Sequence, residues 1–166
     1  MLRTIMAAAV ILTAMAQGAR AEEDAMVSFK VLTPEVALEL AQGALNSCRA
    51  GGYQVAVVVV DRFGIVQVAI RDQLAGPHTV ETARRKAWTA VSFRTDTETM
   101  AELTQAGEQQ SGVRQVTGAL MIGGGVPVEA AGTVVAGIGI SGAPGGKADD
   151  ACARAGIETI IEKLEF

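Results

Sequence analysis

The sequence predicts an α+β domain built on one antiparallel sheet of about five strands. Three observations carry this. Predicted elements run in the order helix, two strands, two helices, three strands, helix, so strands meet through short turns while helices separate the groups. The tetrapeptide Asp61-Arg62-Phe63-Gly64 joins two strand-like runs, with its glycine placed for a positive φ. The first of those runs, YQVAVVVVD, is apolar on both faces, which marks it as central.

Each element has a local reason. Thr33-Pro34-Glu35 starts a helix, with Thr as N-cap, Pro at the first helical position and an acid in the first turn. Val36, Leu40, Ala41, Ala44, Leu45 and Cys48 follow at helical spacing, and Gly51-Gly52 ends it. Residues 53–60 and 65–71 form a hairpin. Residues 79–93 form a second long helix whose inner stripe is Val80, Ala83, Ala87, Ala90 and Val91. Asp96 to Gln105 is a shorter helix, polar on one side. TGALMIGGG (117–125) reads as a strand, continued briefly by Val126-Pro127-Val128. TVVAGIGISG (133–142) is another, with Gly137 and Gly139 on one face. Asp149, Asp150 and Ala151 open a last helix reaching about Lys163.

Residues 1–21 read as a secretory signal peptide. Arg3 precedes an apolar run from Ile5 to Ala16, and Ala19-Arg20-Ala21 supplies the cleavage pattern before Glu22. The run is short for a membrane span. The remaining segment, 22–166, is one domain's worth of chain, expected in the periplasm or outside the cell. Loss of Arg3 and Arg20 leaves 12 of the 14 basic residues against all 18 acidic ones, a net charge of −6. That argues against nucleic acid or an anionic membrane as partner. Aromatics are only 4%, so little surface exists for stacking bases or sugars. Cys48 and Cys152 fit one bridge between the first and last helices, which export permits; two small buried thiols are the alternative.

Three segments together resemble the GlcG/HbpS family, which includes haem-binding proteins and is related to the C-terminal domain of PduO-type proteins. They are VVVVDRFGIVQVAIRD, GPHTVETARRKAWTAVSF and GGGVPVEAAGTVVAGIGISGAPGGKADDACARAG. The resemblance spans the chain from Leu32 to the last helix. It implies a profilin-like fold, a homo-oligomer (often an octamer among secreted members) and haem as cofactor.

His78 is the only histidine, and an imidazole is a standard axial ligand of haem iron. Thr79 can cap the helix that follows, and Thr82 and Arg85 return to the same side one and two turns on. Arg84, Arg85 and Lys86 offer cations for haem propionates. From residue types alone, a surface histidine beside a solvated basic cluster is the favoured reading; the resemblance tips the balance to ligation. Met121, Met100 and Tyr53 are candidates for a second ligand, and Phe63, Trp88, Phe93 and Val80 for apolar walls.

GGGVP and SGAPGGKADD could nest an anion, but Asp149 and Asp150 already occupy the positive end of the last helix. Tight turns and close packing explain these glycines better. The resemblance implies that Gly123, Gly124 and Gly125 can line the ligand pocket. Ser92, Ser111 and Ser141 lack a nucleophile-elbow motif. Glu98 and Glu102, at i and i+4, read as a solvated face, although the resemblance allows a ferric ion there. Asp61 and Asp72 read as turn residues. Three functions are thus expected in order: an exported haem-binding protein that captures or buffers haem; an enzyme or accessory protein holding a small metabolite in the same pocket; a structural oligomer without ligand.

Overall fold

The structure is a computed structural model and describes residues 25–165. The expected signal peptide, 1–21, lies outside the described residues.

Helix α1 spans Pro34–Ala50, and its start follows the local chemistry: the Thr33 hydroxyl accepts from the Val36 N–H at 3.4 Å, one of the four donors a helix start leaves open. Strands β1 (Ala56–Asp61) and β2 (Val66–Arg71) form the expected hairpin. At its turn the Asp61 carboxylate accepts from Phe63 N–H (2.8 Å) and Ile65 N–H (3.0 Å), and Gly64 takes φ +82°. A side chain at Gly64 would also meet Trp88 Cδ1 at 2.6 Å. Helix α2 (Thr79–Phe93) and helix α3 (Thr97–Leu103) follow, the latter capped by Asp96 accepting from Thr99 N–H at 2.8 Å. Strands β3 (Gly125–Ala130) and β4 (Thr133–Ser141) form a second hairpin, and helix α4 covers Gly146–Glu158.

The sheet has four strands, in the order β2-β1-β4-β3 with every neighbour antiparallel, rather than about five. The expected strand over 117–125 is the one that fails. Gly118 and Gly124 sit at φ +90° and +110°, outside the extended region, and the ladder starts only at Gly125 opposite Gly139. The last helix begins three residues before Asp149 and gives way to a short 3₁₀ turn at Ile161–Lys163.

Strand β1 is central, as its two apolar faces required. Val55, Val57 and Val59, with Ile138 and Ile140 of β4, face α1 and α4. Ala56, Val58 and Val60 face α2 through Ala83, Ala87 and Val91. Each wholly buried Ile or Leu here, such as Ile138, Ile140 and Leu40, contributes roughly 1.5–3 kcal/mol. Helix α2 lies so close that a Cβ at Gly139 would fall 2.0 Å from the Ala83 carbonyl oxygen. Across the other face, Cys48 of α1 and Cys152 of α4 form a disulfide, Cα–Cα 5.4 Å. No helix among the described residues is long and apolar enough to cross a membrane.

Candidate functional site

The antiparallel register brings the start of β1, the end of β2, the end of β4 and the start of β3 to one end of the sheet: Ala56 pairs with both Arg71 and Ser141, and Gly125 with Gly139. The segments leaving those strands enclose a cleft of about 740 Å³. Its walls are residues 52–54 after α1, residues 74–76 with His78 and Thr79 leading into α2, and residues 141–146 leading into α4, with Thr82, Lys86, Ile122 and Asp149 completing it.

His78 stands on this cleft, in helical conformation (φ −70°, ψ −21°) just ahead of α2. The ring lies over Gly76, where a Cβ would come within 2.7 Å of Cε1 and 2.9 Å of Nδ1. It is exposed, and among the described residues it makes no hydrogen bond or ion pair. The backbone beneath it is fixed. Thr79 does not cap by accepting; its hydroxyl donates to Gly76 O at 2.7 Å, and that of Thr82 donates to His78 O at 3.0 Å. The 72–75 wall is tied down as well. Asp72 is buried and accepts from Arg49 Nε at 3.0 Å, the Arg71 guanidinium donates to Ala75 O, and Leu74 N–H donates to Gln54 Oε1 at 3.4 Å.

The basic triplet separates into three roles. Lys86 is 1% exposed: its ammonium donates to Asp149 Oδ2 at 2.7 Å and to Ile140 O at 2.9 Å, forming part of the cleft floor. Burial pushes the Asp149 carboxyl above the usual carboxylate range, against the pull of Lys86 and of the Ala143 N–H. Arg84 forks onto Glu81 at 2.7 and 2.8 Å on the outer face of α2, holding that carboxyl below its ordinary value. Arg85 donates to the carbonyls of Gly118 (3.3 Å) and Ala119 (2.6 Å). Only Lys86 of the three lines the cleft, and its charge is already met by Asp149.

Gly123, Gly124 and Gly125 lie behind the cleft rather than on it. A Cβ at Gly124 would sit 2.5 Å from Asp149 Cβ and 3.0 Å from Lys86 Nζ; one at Gly125 would meet Lys86 O at 2.4 Å; one at Gly123 would meet Glu98 Oε2 at 2.0 Å. These glycines seat their segment against the Lys86–Asp149 pair. Of the second-ligand candidates, Tyr53 lines the cleft, whereas Met100 and Met121 pack in a separate cluster with Trp88 and Phe93. Phe63 and Val80 are also outside the walls. Residue-type reasoning missed the apolar rim, Leu74 (78% exposed) and Ile122 (47% exposed). Large apolar side chains left in water beside a cleft were the available signal, and nothing in their local sequence sets them apart.

The arrangement offers one free imidazole, apolar edges and a floor whose buried charges cancel. That chemistry suits a ligand with apolar surface and a group that accepts a nitrogen donor. Residues 32–158 match a family model described as haem degrading protein HbpS-like. A search of curated proteins finds no match. Among solved structures, a double mutant of Streptomyces reticuli HbpS is 37% identical, with 93% of this chain and 99% of that chain covered and a TM-score of 0.77. A second HbpS structure is 39% identical over 86% of this chain and 98% of that one, TM-score 0.78. A complex of PduOC with haem is 27% identical over 78% and 95%, TM-score 0.73.

Proposed function

The chain belongs to the haem degrading protein HbpS-like family, and on that premise we propose that it binds haem in the cleft beside His78. The observation that carries this reading is the His78 imidazole, exposed and without a partner among the described residues, on the wall of a 740 Å³ cleft. Pockets for cofactor-sized ligands run from about 300 to 1,000 Å³, so the cleft is of adequate size. In this reading His78 supplies the nitrogen ligand, Leu74 and Ile122 the apolar contact, and Tyr53 the polar group on the adjoining wall. Bound haem would supply an iron centre for ligand exchange or electron transfer. Arg84 joins the proposal as an outer partner for a propionate, because its bond to Glu81 is an exposed pair of the kind worth at most about 1 kcal/mol and is readily exchanged. Arg85 and Lys86, and the glycines 123–125, then support the site through the neighbours already named.

The proposal extends to export and capture: the Cys48–Cys152 disulfide fits an oxidising compartment. It also extends to self-association, for which exposed Phe29, Phe63, Ile65 and Val66 supply apolar surface at the far end of the sheet. A second reading, turnover of the bound haem, is favoured by the description of the family model. Hemin titration tests the first. A Soret band should saturate at about one haem per chain and weaken strongly in His78→Ala. No spectral change in the wild-type protein would remove the reading. Loss of the Soret band under added peroxide, faster than for free hemin, would establish the second.

A further inference from the structure

Resting on the haem-binding reading, we propose that the buried Lys86–Asp149 pair is a positioning device that sets the shape of the cleft by clamping its β4–α4 wall to helix α2. Both side chains are sealed from water, at 1% and 3% exposure. They come from different elements, Lys86 from α2 and Asp149 from the first turn of α4. Every bond they make ends on or next to a cleft segment. The ammonium donates to Asp149 Oδ2 (2.7 Å) and to Ile140 O (2.9 Å), one residue before the wall. The other carboxylate oxygen accepts from Ala143 N–H at 3.0 Å, in the middle of that wall. Ile140 N–H in turn donates to Gly124 O at 2.8 Å, two residues after the Ile122 rim.

The wall needs such a clamp. Gly142 and Gly145 take φ +132° and +116°, a region glycine alone enters readily, so neither position has a side chain with which to anchor the wall to α2. The wall's ends are held by Ser141, which pairs with Ala56 in the sheet, and by Gly145 O, which accepts from Asp149 N–H at 3.2 Å in α4, while between them Gly145 N–H donates to Ala143 O at 2.7 Å and closes the stretch on itself; none of these bonds reaches α2. A buried ion pair is also a poor source of net stability, since the desolvation of two charges roughly offsets their attraction. What the pair supplies is a defined position: three bonds to one carboxylate and one ammonium allow a single arrangement of α2, β4 and α4 around the cleft.

The test replaces the pair by apolar side chains of similar volume, Lys86→Met with Asp149→Leu, and reads urea unfolding, hemin affinity and hydrogen exchange at Ala143. The double variant should unfold at a urea midpoint near that of the wild type. Its Ala143 amide should exchange about 100-fold faster. Its Kd for hemin should rise about tenfold with the Soret maximum unmoved, because His78 is untouched. A folded double variant with wild-type Kd, or with wild-type exchange at Ala143, overturns the proposal. Lys86→Gln with Asp149→Asn, which leaves no unpaired charge buried, covers the case in which the apolar double variant does not fold. It keeps an acceptor for Ala143, so a smaller rise in Kd, about threefold, and partial amide protection are expected; no change in either overturns the proposal. Failure of the wild-type protein to bind hemin would sink the functional reading instead, while amide exchange still decides whether the pair holds the wall.

Discussion

Removing the Cys48–Cys152 bridge should cost this domain a large part of its stability. The two cysteines are 104 residues apart in sequence, so the bridge closes a loop containing most of the described chain. In the chain-entropy account, a loop of about 100 residues loses enough freedom in the unfolded state to stabilise the fold by roughly 4.7 kcal/mol at 25 °C. Domains of this kind have about 5–15 kcal/mol in total. A midpoint shift of about 3 °C per kcal/mol then gives a fall in Tm of roughly 14 °C. Both sulfurs are buried, so Cys48→Ala with Cys152→Ala also removes a little packing and moves the figure in the same direction. The assay is urea unfolding of oxidised wild type against the double-alanine variant, followed by fluorescence of Trp88, the only tryptophan. The variant should also show the larger m-value, because its unfolded chain is no longer cross-linked and exposes more surface. A loss below about 1 kcal/mol would refute the reasoning. It would mean that packing alone holds α1 to α4, as at Gly156, where a Cβ would lie 2.7 Å from that of Ala44.

Two further outcomes follow from the geometry. Gly139→Ala places a methyl 2.0 Å from the Ala83 carbonyl oxygen, so α2 must move; a loss of about 1–3 kcal/mol in urea unfolding is expected, with weakened hemin binding because α2 carries Thr82 and Lys86. Asp149 gives a pH dependence of definite sign. Its folded-state carboxyl is held above the ordinary value by burial, so the folded chain binds that proton more tightly than the unfolded chain. The resulting contribution is fully present below the unfolded value of about 3.9 and is lost as pH rises through the folded value. Stability of the wild type relative to Asp149→Asn should therefore fall with increasing pH above about 4, measured by urea titration at a series of pH values; a rise would show that Lys86 outweighs burial.

Local chemistry made most of the fold legible. Thr33-Pro34-Glu35 and Asp61-Arg62-Phe63-Gly64 each determine a helix start and a turn within four residues, and both are where they were expected. YQVAVVVVD reads as central because only a strand covered on both faces can be apolar at every position, and β1 is flanked by β2 and β4. TGALMIGGG misled because its composition suits a strand while its backbone does not. Two of its glycines are needed at positive φ, to pass under Trp88 and to reach Asp149. Composition carries no record of which glycines are used in that way.

The site divides along the same line. The sequence marks His78 as a candidate but not the cleft beside it, because three loops and an isoleucine meet there only through the register of the sheet. Lys86 is the instructive case. Read as part of Arg84-Arg85-Lys86 it belongs to a solvated basic cluster, yet on a 3.6-residue period it lies three residues from Ala83 and four from Ala90, both fully buried. Helical phase alone therefore puts an ammonium inside the core, and a buried ammonium requires a carboxylate. Which carboxylate could not be read, since Asp149 is 63 residues away and its position at the positive end of α4 already had a local explanation. The same residue satisfies both demands: it stands in the first turn of α4, accepts from Ala143 with one oxygen and meets Lys86 with the other. A side chain with a sufficient local reason can thus hide a second, long-range one, and here the second is the one that shapes the cleft.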